Sequence, residues 1–152
     1  MPEPVDFLSH TPRLALPLLF AGQAQKEFFV NQSLSLVDML LQAAVEGEAS
    51  VPPVSPADGE SWLVGSAAEG GWSGYEGHLA SWQSGVWLFA YPSEGWQVFD
   101  RDTRQAIRYS LGEWQRVQPP AAPVGGSVED TEARQAIADL VAALRANGIF
   151  AG

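Results

Sequence analysis

Few residues in this sequence have the types and spacing that catalysis requires. The chain contains two histidines, His10 and His78, and no cysteine. The lack of cysteine excludes thiolate nucleophiles, disulfides and cysteine-ligated metals, and no recognised Ser-His-Asp spacing occurs. His78 follows Glu76 by two residues, so the pair could form a base and its carboxylate partner, although an exposed strand end is the simpler interpretation. We therefore predict no catalytic residues and no enzyme activity.

Metal and phosphate sites also lack their usual signals. Asp100 and Asp102 alternate like the acids of a calcium loop, but the turn glycine and the distal glutamate of such loops are missing. A polar hairpin tip, with Arg101 and Arg104 balancing the acids, explains the pattern. No glycine-rich phosphate loop followed by lysine occurs. We predict no metal and no cofactor; a glycosidase would need two carboxylates in a cleft, for which Glu76, Asp100 and Asp102 are the candidates.

Aromatic residues are concentrated in one part of the chain. Exposed flat rings can serve as platforms for sugar rings, whereas a small β-domain also needs large rings to fill its core. We expect most of the tryptophans to be core residues. The candidates for glycan binding are Trp72 and Tyr75, which lie in a glycine-rich stretch, and Trp96, which follows Gly95. All six tryptophans fall within residues 58–117: Trp62, Trp72, Trp82, Trp87, Trp96 and Trp114.

The charge of the chain excludes two classes of partner. The formal net charge is −10, the pI is near 4.4, and only eight residues are lysine or arginine. Nucleic acids and anionic membranes both require a basic surface, so we expect neither as a partner. The first residues are acidic and the apolar run after Arg13 is broken by Pro17, so we expect no signal peptide and synthesis in the cytoplasm.

The tryptophan-rich region, residues 57–117, predicts a β-domain. Short runs of large β-forming residues alternate with glycine turns, which favours an antiparallel β-meander or a small barrel. Together with the two helices predicted below, this gives an α+β fold that is mainly β. The predicted strands cover residues 61–64, 78–83, 86–90, 97–100, 106–110 and 113–117.

The region before the β-domain predicts an arm and a helix. Residues 1–30 are rich in proline and indicate an extended arm. The helix is predicted over residues 31–47, with Asn31 as N-cap and an apolar stripe expected to face the core. Residues 49–56 form a stiff proline-rich linker. The arm should dock either on its own β-domain or on a neighbouring subunit, through apolar side chains that include Leu14, Leu16, Leu18 and Phe20.

The region after the β-domain predicts a linker and a second helix. Residues 118–126 are a proline and glycine linker. The helix is predicted over residues 127–148, with Ser127 as cap and acids in its first turn. It should either pack back on its own domain or associate with copies of itself; we favour self-association because the linker separates it from the core. Its apolar stripe consists of Ile137, Leu140, Val141 and Leu144.

The order and spacing of several motifs closely resemble the DUF2793 family of uncharacterised domains. The resemblance covers roughly residues 12–117, and the final helix is similar to a tail common to such proteins. The motif from Gln23 to Lys26 belongs to the resemblance but has no chemistry that its residue types explain. The motifs lie in residues 13–27, 31–38, 52–60, 72–82, 85–89 and 95–96.

The resemblance implies a component of a virion, because the family occurs among structural proteins of tailed phages and of alphaproteobacterial gene transfer agents. There it is associated with head spikes or fibres that support attachment to the recipient's surface polysaccharide. We therefore expect a structural protein of a phage-like particle, forming a trimer or pentamer and contacting capsid or fibre proteins. The alternative is a carbohydrate-binding module that binds capsular or cell-wall glycans directly through Trp72, Tyr75 and Trp96.

Overall fold

The structure, a computed structural model, describes residues 9–22, 24–126 and 128–152. Within them lie two helices and eight strands in two four-stranded sheets. The α+β, mainly β fold is thereby confirmed, although the sheets are open and do not close into a barrel. Among these residues, no helix is both long and apolar enough to cross a membrane. The elements are α1 Lys26–Leu40, β1 Ala44–Val45, β2 Glu48–Ala49, β3 Ser61–Val64, β4 Leu79–Gln83, β5 Val86–Ala90, β6 Gln97–Asp100, β7 Gln105–Ser110, β8 Glu113–Gln115 and α2 Thr131–Ala146.

Each sheet combines antiparallel hairpins with one parallel edge strand. The first sheet has the order β1-β6-β7-β8 and the second the order β2-β3-β4-β5. The six strands from β3 to β8 confirm the six predicted runs to within two residues. The β4–β5 hairpin turns at Ser84 and Gly85 and the β7–β8 hairpin at Leu111 and Gly112, all with positive φ. This geometry matches the right-handed twist of the strands and favours glycine at the second position.

Strands β1 and β2 come from a segment in which the sequence predicted no strand. Ala44 and Val45 pair in parallel with β6, and Glu48 and Ala49 pair in parallel with β3. The chain thus passes from one sheet to the other across the buried Gly47. The segment was predicted as the end of a helix and the start of a linker because two-residue strands leave no periodic pattern.

The main core lies between the sheets and is closed on one side by α1. Its buried side chains come from α1 and from both sheets, so they hold the three layers together. Half-buried Trp96 and Trp114 pack against it. The buried members are Met39, Val45, Leu63, Leu79, Ala90, Val98 and Ile107.

Helix α1 starts and ends earlier than the predicted helix over residues 31–47. Gln42 adopts a positive φ, and the chain then enters β1. The predicted cap Asn31 lies inside the helix, where its side chain bonds the backbone N–H and C=O of Leu19. The predicted apolar stripe faces the core only in part, because Leu40 packs against the main core and Val45 lies in it, whereas Val37 and Leu41 are exposed. The buried residues of the helix are Asp38 and Met39.

The arm is tied to α1 by the buried carboxylate of Asp38. Its Oδ1 accepts hydrogen bonds from the Thr11 hydroxyl at 2.6 Å and the Leu14 N–H at 2.7 Å. Its Oδ2 accepts from the Arg13 N–H at 3.2 Å. The Arg13 guanidinium in turn donates to the carbonyls of Asp38, Met39 and Gln42 at the end of the helix. Residues 11–14 therefore dock on the chain's own helix α1. Residues 26–30, which were predicted as part of the extended arm, belong to this helix.

Helix α2 is shorter than the predicted helix over residues 127–148, and its cap is Asp130, whose Oδ1 accepts from the Ala133 N–H at 2.9 Å. The residues after the helix pack against β7: the Gly148 carbonyl accepts from the Ala106 N–H, and Phe150 is buried. The body of the helix has no buried side chain.

Residues 1–8, Gln23 and the predicted cap Ser127 lie outside the described residues.

We predict that Asp38→Asn destabilises the chain by about 1–3 kcal/mol, because an amide nitrogen would then face a backbone or hydroxyl donor in a buried site. Chemical denaturation measures this loss. Asp102→Asn, at an exposed position, is the control and should stay within about 0.5 kcal/mol of the parent. Equal stability of Asp38→Asn and the parent would contradict the anchoring role of Asp38.

Candidate functional site

Trp72 is the centre of a second, smaller core on the outer face of the second sheet. The loop between β3 and β4 folds back over the sheet through a single 3-10 turn at Gly70–Trp72. The Trp72 side chain is 0% exposed and meets Trp87 edge to face, with ring centroids 5.0 Å apart. Ala68 and Ala80 pack beside it. Trp72 is therefore a core residue, and its prediction as a glycan-binding residue is wrong.

A row of partly exposed aromatic rings continues from this core. Tyr75 stacks on Phe89, with centroids 3.8 Å apart and planes within 8° of parallel. His78 meets Tyr75 edge to face at 5.4 Å and Tyr91 at 5.1 Å. Tyr91 is 68% exposed. The row thus leads from the outer face of the second sheet to the gap between the sheets.

This gap is a cleft of about 510 Å³, which we call the inter-sheet cleft. Strands of both sheets and the loop before β4 form its walls. The Trp114 indole N–H donates to the Gly77 carbonyl at 2.9 Å and so joins the two walls. The side chains that bring aromatic rings or charge to the lining are Glu48, Glu76, Tyr91, Tyr109, Glu113, Trp114 and Arg116.

Arg116 occupies one side of the cleft and is held by two carboxylates. Its Nη2 lies 3.0 Å from Glu48 Oε2 and 3.3 Å from Oδ2 of the buried Asp100. Asp100 Oδ1 accepts from the N–H groups of Asp102 and Thr103. The two aspartates predicted to form a hairpin tip therefore differ: Asp102 is exposed, whereas Asp100 is buried and bonded to Arg116.

Two lining groups have shifted acidities. Hydrogen bonds from its own backbone N–H and from that of Ala68 outweigh partial desolvation and hold the pKa of Glu76 below its ordinary value. A hydrogen bond with the Tyr91 side chain, together with desolvation and the charge of Glu94, raises the pKa of Tyr109. At neutral pH the cleft therefore presents the ionised carboxylate of Glu76 and the neutral phenol of Tyr109.

The predicted glycan-binding residues are not brought together. Tyr75 is partly exposed on the outer face, but Trp72 is buried and Trp96 packs against the main core beside Leu40 and Ala43. Residues of the predicted assembly stripes do remain accessible: Leu14, Phe20, Ile137 and Leu140 are exposed, and Leu16, Leu18, Val141 and Leu144 are half-buried. In the predicted pair of His78 and Glu76, the imidazole Nδ1 lies 3.3 Å from the Glu76 backbone carbonyl, and His78 contributes electrostatically to the lowered pKa of Glu76.

The sequence did not single out Tyr91, Tyr109, Glu113 or Trp114 as site residues. Tyr109 lies in β7, Glu113 and Trp114 lie in β8, and Tyr91 directly follows β5 in the other sheet, so no spacing in the chain connects Tyr91 with the other three. An aromatic or acidic residue near each hairpin end was the available signal. In the part of the chain that the structure describes, no group of three or more histidine, aspartate or glutamate side chains could hold a metal ion.

The fold and the cleft define a small α+β domain of two linked sheets with a groove of aromatic and acidic residues between them. The chain belongs to the family described as protein of unknown function (DUF2793), whose model matches residues 30–115. The match includes the cleft residues from Glu48 to Trp114 but ends before Arg116 and α2. None of the curated proteins matches the chain.

We predict that Trp72→Ala destabilises the chain by about 3–5 kcal/mol, because a large ring is removed from a fully closed site. Trp72→Phe is the matched control. It keeps most of the ring and removes the indole Nε1, a buried group with no hydrogen-bond partner among the described residues, so its loss should be clearly smaller. Urea unfolding of both variants measures the difference, and a Trp72→Ala variant as stable as the parent would contradict the core position.

We predict that Glu76→Gln lowers the stability of the chain at neutral pH and that the difference from the parent closes in acid. The folded-state pKa of Glu76 is lowered from 4.5, so its ionised form stabilises the folded state. This contribution is present above the unfolded pKa and is lost as the pH falls through the folded pKa. Thermal unfolding of the parent and the variant as a function of pH measures it. A difference that persists unchanged into strong acid would contradict this origin, and Glu69→Gln in the same loop is the control.

Proposed function

We propose that the chain is a non-enzymatic structural component of a phage-like particle or gene transfer agent, where it forms part of a head spike or fibre that supports attachment to the host cell. Membership of the DUF2793 family supports the proposal through the virion context that the resemblance implies. The observation that carries it is the set of apolar helix surfaces that the chain leaves uncovered.

These surfaces lie on both helices. Phe28 and Phe29, at the start of α1, are 68% and 70% exposed, and Leu140 on α2 is 60% exposed. Burial of one such side chain is worth roughly 1.5–3 kcal/mol. Contiguous exposed apolar surface of this kind marks sites of protein interaction, and a protein that assembles into a particle needs such contacts.

The location of α2 suits an assembly element. Its far end is fixed to β7 through residues 148–152, and the Arg134 guanidinium holds the linker through the carbonyls of Pro123 and Gly125. The helix is therefore fixed to the β-domain at its far end and to its own linker near its start, while Ile137 and Leu140 are exposed. We propose that it joins copies of the chain into a trimer or pentamer or receives a capsid or fibre protein.

We predict that the full chain forms a closed oligomer and that Leu140→Asp dissociates it, because a carboxylate cannot be buried at an apolar contact without a partner. Light scattering measures the mass. Ala142→Asp, which adds the same charge at an exposed position of the same helix, is the matched control and should leave the oligomer intact. A full chain that is monomeric, or that dissociates equally with both variants, would contradict assembly through this face.

A second candidate function is direct glycan binding, and the inter-sheet cleft is the observation that favours it. Tyr91, Tyr109 and Trp114 supply ring surfaces, and Glu76 and Glu113 supply acceptors for sugar hydroxyls. Sites for small ligands combine apolar walls with a few polar groups in this way. The candidate therefore rests on the cleft, with Tyr75 on the adjoining aromatic row, and not on the predicted set that included Trp72 and Trp96.

A further inference from the structure

We propose that the inter-sheet cleft selects sugars that carry a protonated amine over the same sugars in neutral or acetylated form. The inference deepens the second candidate function, on which it rests, and is independent of assembly through α2. It follows from two features of the cleft, which are its exposed aromatic rings and its excess of carboxylates over cationic groups.

The charged groups of the cleft leave an excess of carboxylates. Glu48, Glu76 and Glu113 line it together with one guanidinium, that of Arg116. Arg116 already lies within 3.3 Å of two carboxylates, Glu48 and Asp100. Among the described residues, Glu113 accepts from the neutral amide of Gln115, at 2.8 Å, and Glu76 accepts from backbone N–H groups and interacts electrostatically with the His78 imidazole. The field inside the cleft therefore favours a cation.

The rings of the cleft favour a cation for a second reason. Tyr91 is largely exposed, and Tyr109 and Trp114 meet edge to face with centroids 5.3 Å apart. The negative face of an aromatic ring attracts an ammonium group. A carboxylate that neutralises the same ammonium and accepts its hydrogen bonds strengthens the contact.

The hydrogen-bonding groups extend the preference from a simple cation to an amino sugar. Carboxylate oxygens and phenol hydroxyls can accept from sugar hydroxyls, while the apolar face of a pyranose fits against an aromatic ring. The ammonium of such a sugar brings three further donors. N-acetylation removes the positive charge and two of these donors, so the acetylated sugar is the matched neutral ligand.

The test is a titration of the full chain with D-glucosamine, N-acetyl-D-glucosamine and glucose at about pH 6. Backbone and indole N–H signals are followed by NMR. We expect the chemical shift of the Trp114 indole N–H to change. The shift of the Trp96 indole N–H should stay constant, because Trp96 packs against the main core outside the cleft lining. The affinity for glucosamine should exceed that for the acetylated sugar by about fivefold to tenfold and should decrease with added salt.

Two variants that each remove one carboxylate test whether the preference for glucosamine comes from the cleft. Glu113→Gln keeps the size and one acceptor of the side chain, so we expect the fold to persist and the preference for glucosamine to fall to about a third or less. Glu132→Gln makes the same change of charge on α2 and should leave the preference unaltered. An equal loss in both variants would mean that the net charge of −10, and not the cleft, attracts the amine, and would overturn the proposal.

The remaining outcomes separate this inference from the functions above. Equal binding of the amino and acetylated sugars at Trp114 would overturn the selection by charge and leave glycan binding in place. Absence of any shift at Trp114 with all three sugars would overturn both the selection and the cleft as a glycan site. The Leu140→Asp experiment would decide assembly in either case.

Discussion

The two sheets depend on one segment, residues 44–49, that contributes a strand to each. Ala44 and Val45 complete the first sheet, Glu48 and Ala49 complete the second, and between them the Gly47 carbonyl accepts from the Leu63 N–H at 2.9 Å. A Cβ atom added at Gly47 would lie 3.4 Å from the Cβ of Asp102, which is the distance of an ordinary van der Waals contact. Because the segment is short and buried at its centre, it fixes the separation of the sheets and thereby the width of the cleft.

The sequence predicted the parts of the fold that local chemistry determines. The hairpins followed from glycine turns between runs of β-forming residues, and α2 followed from its acidic first turn and apolar spacing. The parallel strands β1 and β2 could not be predicted, because their partners lie 55 and 15 residues away in the chain and each strand is too short for a pattern. The same residues continued the helical spacing of α1, which misplaced the end of that helix.

The candidate site was less predictable than the fold. A glycine-rich loop suggested that Trp72 is exposed, yet the loop folds over the sheet and uses Trp72 to fill its own small core. Tyr75 in the same loop remains accessible because it stacks outside that core. Tyr91 and Trp114 line the same cleft only because the two sheets pack against each other. Residue types in a loop thus indicate an aromatic site, whereas the tertiary fold decides which rings reach the solvent.

The proposed assembly and the proposed glycan binding use different surfaces of this chain. The two sheets form the walls of the cleft, while the exposed helix faces remain available for other copies or for particle proteins, so the proposed attachment role requires both. The most direct measurement of that role is cross-linking mass spectrometry on purified phage-like particles from cells that express the chain. Our account predicts that the chain is part of the particles. It also predicts that a carboxylate-reactive reagent cross-links the acids of α2, such as Glu132 and Asp139, to other copies of the chain or to capsid or fibre proteins. Particles that assemble and attach without the chain would contradict it.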